Sequence, residues 1–130
     1  MKEMINVVAV GTGGFVGAAS RYFISTLVNK LNTSGFPIAT LIINILGSFL
    51  IGLLTQLLMS LCPDNKKLNL FLTTGILGGF TTFSTFSLET VNLFQGGKAV
   101  FGVVNIVLSI AFCLTGVVLG KMLAKTIASM

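Results

Sequence analysis

GGFTTFSTFS, Gly78 to Ser87, is the stretch whose reading decides what kind of helical protein this chain forms. Phe80, Phe83 and Phe86 recur every third residue, Thr81, Thr82, Ser84, Thr85 and Ser87 bring hydroxyls, and Gly75 stands just upstream. A glycine inside a helix costs roughly 1 kcal/mol relative to alanine, and threonine is also a poor helix former. The sequence therefore predicts a helix break between Gly75 and Thr82.

The surroundings of that stretch are strongly apolar. Hydrophobic residues make up 54% of the 130-residue chain and charged residues 8%, where an ordinary soluble domain is about a quarter charged. Mean hydropathy is +1.01. The expected class is an all-α membrane protein with four transmembrane helices, at about residues 4–28, 37–61, 68–95 and 99–125. Each exceeds the ~20 residues needed to cross a bilayer. Arg21 is the one charge in the first span, Glu89 the one in the third, and the second carries none. The connectors NKLNTSG, CPDNKK and QGGK leave no room for another domain, so residues 1–130 read as one unit. Lys2 mimics the start of a signal peptide, but the apolar run continues too far, and a retained helix is expected.

Several function classes fall away on composition. The chain has no histidine or tryptophan and three acids, Glu3, Asp64 and Glu89, which leaves almost nothing from which to build an imidazole metal site, a carboxylate pair or a catalytic triad. No enzyme is expected. Cys62 and Cys113 lie far apart with no CxxC spacing and read as small apolar packing residues. The net charge is +5, but the lysines stand singly or as Lys66 and Lys67, without a basic stripe beside aromatics. Contact with lipid headgroups is therefore expected, and nucleic acid is not. With four spans, Lys2, Lys66, Lys67, Lys121 and Lys125 fall on one face, and Arg21, Lys30 and Lys98 toward the other. That bias is weak, and insertion in both orientations is open to the chain.

Small residues four apart occur in the pairs Gly13 and Gly17, Ser48 and Gly52, Gly75 and Gly79, and Gly116 and Gly120. Helices in lipid associate by close backbone approach at such places. A break at membrane depth frees carbonyls and amides that lipid cannot satisfy, so it survives only inside protein or along a polar cavity. Freed carbonyls suit Na⁺ or a similar cation. A kink satisfied by threonine hydroxyls alone is the other reading.

Beyond the break, Phe80, Phe83 and Phe86 form one slanting stripe, with Thr81, Ser84 and Ser87 beside it. Phenyl edges are electropositive and hydroxyls can turn their protons to the same anion, which gives the distributed, modest affinity that conduction needs. Core packing is the alternative for the rings. Asn44 is either glue between helices or an anion donor, and Arg21 either snorkels to the headgroups or charges a vestibule. Glu89 fits a proton relay, a brace or an interfacial position. Asn105, Ser109 and Thr115 on the last helix are candidates for the same path.

GGFVGAASRY (Gly13 to Tyr22), TLIINILGSFLIG (Thr40 to Gly52) and TGILGGFTTFSTFSLE (Thr74 to Glu89) resemble the Fluc (CrcB) fluoride channels. The similarity runs through all four spans in order. It implies a passive fluoride exporter of prokaryotic plasma (inner) membranes, assembled as an antiparallel dual-topology homodimer that confers fluoride resistance. It places main-chain Na⁺ ligands at Gly78 and Thr81. The pore phenylalanines fall on Phe83 and Phe86, with hydroxyls at Ser84 and Thr85, the asparagine at Asn44 and the vestibule arginine at Arg21. Ser109 and Thr115 match more loosely. Ala39 departs from the glycine expected there, and Phe80 is an extra aromatic. Two other classes fit the sequence less well. A small multidrug exporter would need a carboxylate in the first helix, which is absent, and a purely structural subunit leaves Gly78 to Ser87 unexplained.

Overall fold

The computed structural model describes every residue from Met1 to Met130 and contains no strand. Its elements are α1 (Lys2–Leu31), α2 (Ile38–Leu61), a single turn α3 (Lys66–Asn69), a π-helical segment (Leu70–Leu77), a short α4 (Gly78–Phe80), α5 (Phe83–Gln95) and α6 (Ala99–Ala128). Three helices, α1, α2 and α6, are each long and apolar enough to cross a membrane. The third pass expected over residues 68–95 is instead assembled from pieces, none of which spans alone. The first and last helices run beyond the expected ends, to Leu31 and Ala128.

Contacts at small residues fix the directions of these rods. Gly13 faces Phe71 and Gly75, and Gly17 faces Ile76 and Phe80, so residues 70–80 run parallel to α1. Gly116 faces Ile45 and Phe49, and Gly120 faces Phe49 and Leu53, so α6 runs parallel to α2. Short turns join neighbours, and an up-down-up-down bundle results. The approach of backbone to backbone is closest at Gly17 and Gly120. A Cβ on Gly17 would fall on the Ile76 carbonyl oxygen, and one on Gly120 on the Phe49 carbonyl oxygen. Backbone meets backbone there, the packing mode expected where lipid removes any hydrophobic gain from association.

The glycines did not stop the helix. Residues 70–80 stay helical through Gly75, Gly78 and Gly79, and the helix widens instead. The Thr73 hydroxyl occupies the Asn69 carbonyl at 2.8 Å, a back-bond that competes with the regular ladder. The Gly78 amide then shares the carbonyls of Thr73 and Gly75, the first of these being the i−5 bond of a π turn. Regular geometry is left only at Thr81 (φ −79°, ψ 157°) and Thr82 (φ −152°, ψ 113°).

Candidate functional site

The two extended residues are held by named partners. Asn44, on α2, accepts from the Thr82 amide through Oδ1 at 2.8 Å and donates from Nδ2 to the Thr82 carbonyl at 3.0 Å. One carboxamide thus satisfies both main-chain groups of Thr82, as a neighbouring strand would. The Thr82 hydroxyl accepts from the Thr85 amide at 3.1 Å, which caps α5, a contact typically worth about 1 kcal/mol. These bonds redirect the amides that a continuous helix would have aimed backward. The Gly78 carbonyl loses the Thr82 amide to Asn44, and the Thr81 carbonyl accepts no hydrogen bond. Thr81 itself returns its hydroxyl to Leu77. No group of three or more histidine, cysteine and acidic residues that could hold a metal is present; the oxygens at the interruption are main-chain carbonyls and threonine hydroxyls.

Two cavities flank this interruption, and Thr82 lines both. The larger, about 420 Å³, brings together Asn44, Phe83, Phe86 and Ser109, with Ser48 and Cys113. The Phe83 and Phe86 rings lie 5.4 Å apart at 44°. No charged side chain lines this cavity, so polar contact comes from amide, hydroxyl and ring edge alone. Asn44 still has its second Nδ2 proton free for a guest. Behind the wall, Asn105 donates to the Thr90 hydroxyl at 2.9 Å, and Thr90 donates to the Phe86 carbonyl at 2.7 Å. Asn105 is 1% exposed. This buried chain ties α6 to α5 and fixes the backbone that presents the Phe86 ring.

The smaller cavity, about 260 Å³, lies on the other side of Thr82. It gathers Arg21, Thr85 and Thr40, with Tyr22 and Ser25. Thr40 continues the polar line by donating to Glu89 Oε1 at 2.9 Å. Arg21, left open between snorkelling and a vestibule role, therefore lines a cavity with hydroxyls around it. Asn44, left open between glue and donor, is bonded to Thr82 and also lines the larger cavity.

Residues 8–121 match the family model described as CrcB-like protein, Camphor Resistance (CrcB). The chain belongs to the CrcB family. Among its relatives, a protein of Clostridium novyi (strain NT) is 42% identical over 127 residues, covering 98% of this chain and 99% of the relative. One of Clostridium perfringens (strain ATCC 13124) is 44% identical over 125 residues, covering 96% and 98%. One of Sulfurovum sp. (strain NBC37-1) is 48% identical over 119 residues, covering 92% and 93%. Each of these is named a fluoride-specific ion channel FluC.

In this CrcB chain the residues singled out from sequence divide into groups. Asn44, Phe83, Phe86 and Ser109 share one cavity, while Arg21 and Thr85 share the other. Ser84 is exposed, with its hydroxyl 3.3 Å from that of Thr82. Thr115 stands apart: it is exposed, lines neither cavity, and gives its proton to the Ala111 carbonyl at 2.7 Å. Thr82 and Thr40 were not singled out as site residues, although Thr82 joins the two cavities and Thr40 reaches Glu89. A legible signal existed for both. Thr82 precedes an apolar helical repeat with Thr85 three residues on, and Thr40 lies one helical turn before Asn44.

Proposed function

We infer that this chain is a fluoride-specific ion channel, a multi-pass membrane protein that lets fluoride leave the cell down its gradient and so confers fluoride resistance. The observation that carries the reading is the uncharged cavity lined by Asn44, Phe83, Phe86 and Ser109 beside the Asn44–Thr82 pairing. Its chemistry suits a small, strongly hydrated anion. Each water that fluoride sheds must be replaced by a donor: the free Asn44 N–H, the Thr85 hydroxyl and two electropositive ring edges are at hand, and the hydroxyls of Thr82, Ser84 and Ser109, bonded in this structure to Thr85, Thr82 and Asn105, rotate toward the ion as it passes. No single contact is a full positive charge, so binding stays weak enough for release. Arg21, at the second cavity, adds a positive potential that draws anions in. Thr115, at its distance from these walls, is given no contact with the ion.

The working unit is proposed to be an antiparallel homodimer in the plasma (inner) membrane, with a Na⁺ held between the copies by the main-chain oxygens of Gly78 and Thr81. The support is physical. Gly78 is exposed and Thr81 partly so, both carbonyls lack their helical partners, and lipid offers no donor. Phe83 is 78% exposed, which leaves its ring free to line a wall shared with a second copy. Bound Na⁺ supplies a positive charge that offsets the carbonyl dipoles gathered there. Oxygen atoms of neutral peptide groups are suitable donors for such a hard cation.

Expression in a bacterial strain made sensitive to fluoride checks the function in cells. The chain is expected to restore growth in fluoride medium, and Phe86→Ile expressed at equal level is not. Equal growth with and without the chain would count against the reading.

A further inference from the structure

A third cavity, about 410 Å³, opens at the end of the bundle where α1 turns into α2 and α5 turns into α6. Glu89, Lys98, Asn32 and Asn92 contribute to its walls. Glu89 receives the Thr40 hydroxyl on Oε1, while its Oε2 is buried with no hydrogen-bond partner. Thr40 lines the Arg21 cavity and Glu89 this one, so their hydrogen bond links the polar line beyond Thr82 to this opening.

Lys98 is exposed, yet its side chain turns back across the opening. A Cβ built on Gly35 would come within 2.8 Å of Lys98 Nζ, which puts the ammonium over the α1–α2 turn. Its own amide is anchored to the Leu93 carbonyl at 2.8 Å. The other acids, Glu3 and Asp64, line a cavity with Lys2, Lys66 and Lys67, where the N-terminus meets the α2–α3 connection at the opposite end of the bundle. Glu89 is therefore the one carboxylate on the end where Lys98 lies.

On the reading that the polar line conducts fluoride, this arrangement sets a problem. An anion passing Thr40 meets an ionisable carboxyl with one buried oxygen, and repulsion between charges that are partly buried is screened less than at the open surface. We propose that Lys98 is the counter-charge that lets fluoride pass Glu89, a positioning residue that sets the flux at this mouth. The flexible lysine stem carries its ammonium between the Gly35 turn and the unpartnered face of Glu89. There it offsets the carboxylate and raises the local concentration of the anion.

The test is fluoride efflux from liposomes holding the purified full chain, as the unmodified protein, Lys98→Gln, Lys98→Arg and the double variant Glu89→Gln/Lys98→Gln. Lys98→Gln is expected to slow efflux about tenfold in low salt, within the range that electrostatic focusing supplies. The deficit is expected to shrink toward molar salt, where the screening length falls to about 3 Å. Arginine at 98 is expected to recover most of the rate, and the double variant to exceed Lys98→Gln because the charge to be offset is gone. A loop lysine with only a structural role would give neither the salt dependence nor the rescue by Glu89→Gln. Efflux by Lys98→Gln within twofold of the unmodified protein in low salt would overturn this proposal and leave the channel reading standing. Absence of fluoride efflux from the unmodified protein would overturn both.

Discussion

At the residue scale, the decisive side chain is Asn44, because it does two things at once. Its carboxamide pairs with both main-chain groups of Thr82, and the residue lines the cavity of Phe83 and Phe86 with one Nδ2 proton left without a partner. Removing it leaves a half-buried amide and carbonyl without partners, at about 1–3 kcal/mol for each group left unsatisfied. Asn44→Ala is therefore expected to lower thermal stability measurably and to reduce fluoride flux by more than the stability loss explains. Melting and initial efflux, measured on the same preparation, check this. A variant that melts normally and conducts normally would remove Asn44 from the account. Asn44 was conspicuous in the sequence as an amide in a charge-free span, but its partner was not legible there. Thr82 lies 38 positions away, and pairing between an asparagine and a distant backbone leaves no periodic trace. The aromatic and hydroxyl stripes were legible, since three-residue spacing on a helix fixes their shared faces.

At the element scale, the third pass shows where local propensity misleads. Gly75, Gly78 and Gly79 are poor helix residues, yet the helix runs through them, widened to a π form as far as Leu77, and stops at Thr81 and Thr82, inside the expected Gly75 to Thr82 range. Tertiary contact overrides the propensity. Gly75 and Gly79 lie against Gly13 and Gly14 of α1, so they are retained for proximity between rods. The small-residue spacing foretold this close packing; the pairing of particular rods had to come from coordinates. Gly17→Ala tests it, since the added Cβ has no room beside the Ile76 carbonyl, whereas at Gly11 a Cβ meets nothing within 4 Å. The Gly17 change is expected to cost at least about 1–3 kcal/mol, the usual range for overpacking. The Gly11 change is expected to be neutral or to stabilise by up to about 1 kcal/mol through helix propensity. Melting temperatures in detergent separate the two. Similar values would mean that α1 and the π segment are not held by backbone contact.

At the scale of the whole molecule, four rods place uncharged donors and two aromatic rings around the pairing of Asn44 with Thr82, with Arg21 near one cavity and Lys98 near another. The membrane class could be read from hydropathy, and three of the four expected passes are single long apolar helices. The lengths were less legible, because helix ends at Leu31 and Ala128 extend beyond the apolar runs that announced them. A single chain leaves the Thr81 carbonyl without a hydrogen bond and Phe83 largely uncovered. The proposed second copy and Na⁺ account for both, and exchange of Na⁺ for a large organic cation is expected to loosen the dimer, as read by cross-linking in liposomes. Unchanged cross-linking would argue against a bound cation. If an uncharged lining of amide, hydroxyl and phenyl groups conducts fluoride, anion efflux from liposomes reads that conduction. With a fluoride gradient and a chloride gradient measured in parallel, the protein is expected to release fluoride rapidly, to retain chloride, and to lose the fluoride signal in Phe83→Ile. Equal passage of chloride, or no fluoride release at all, would contradict it.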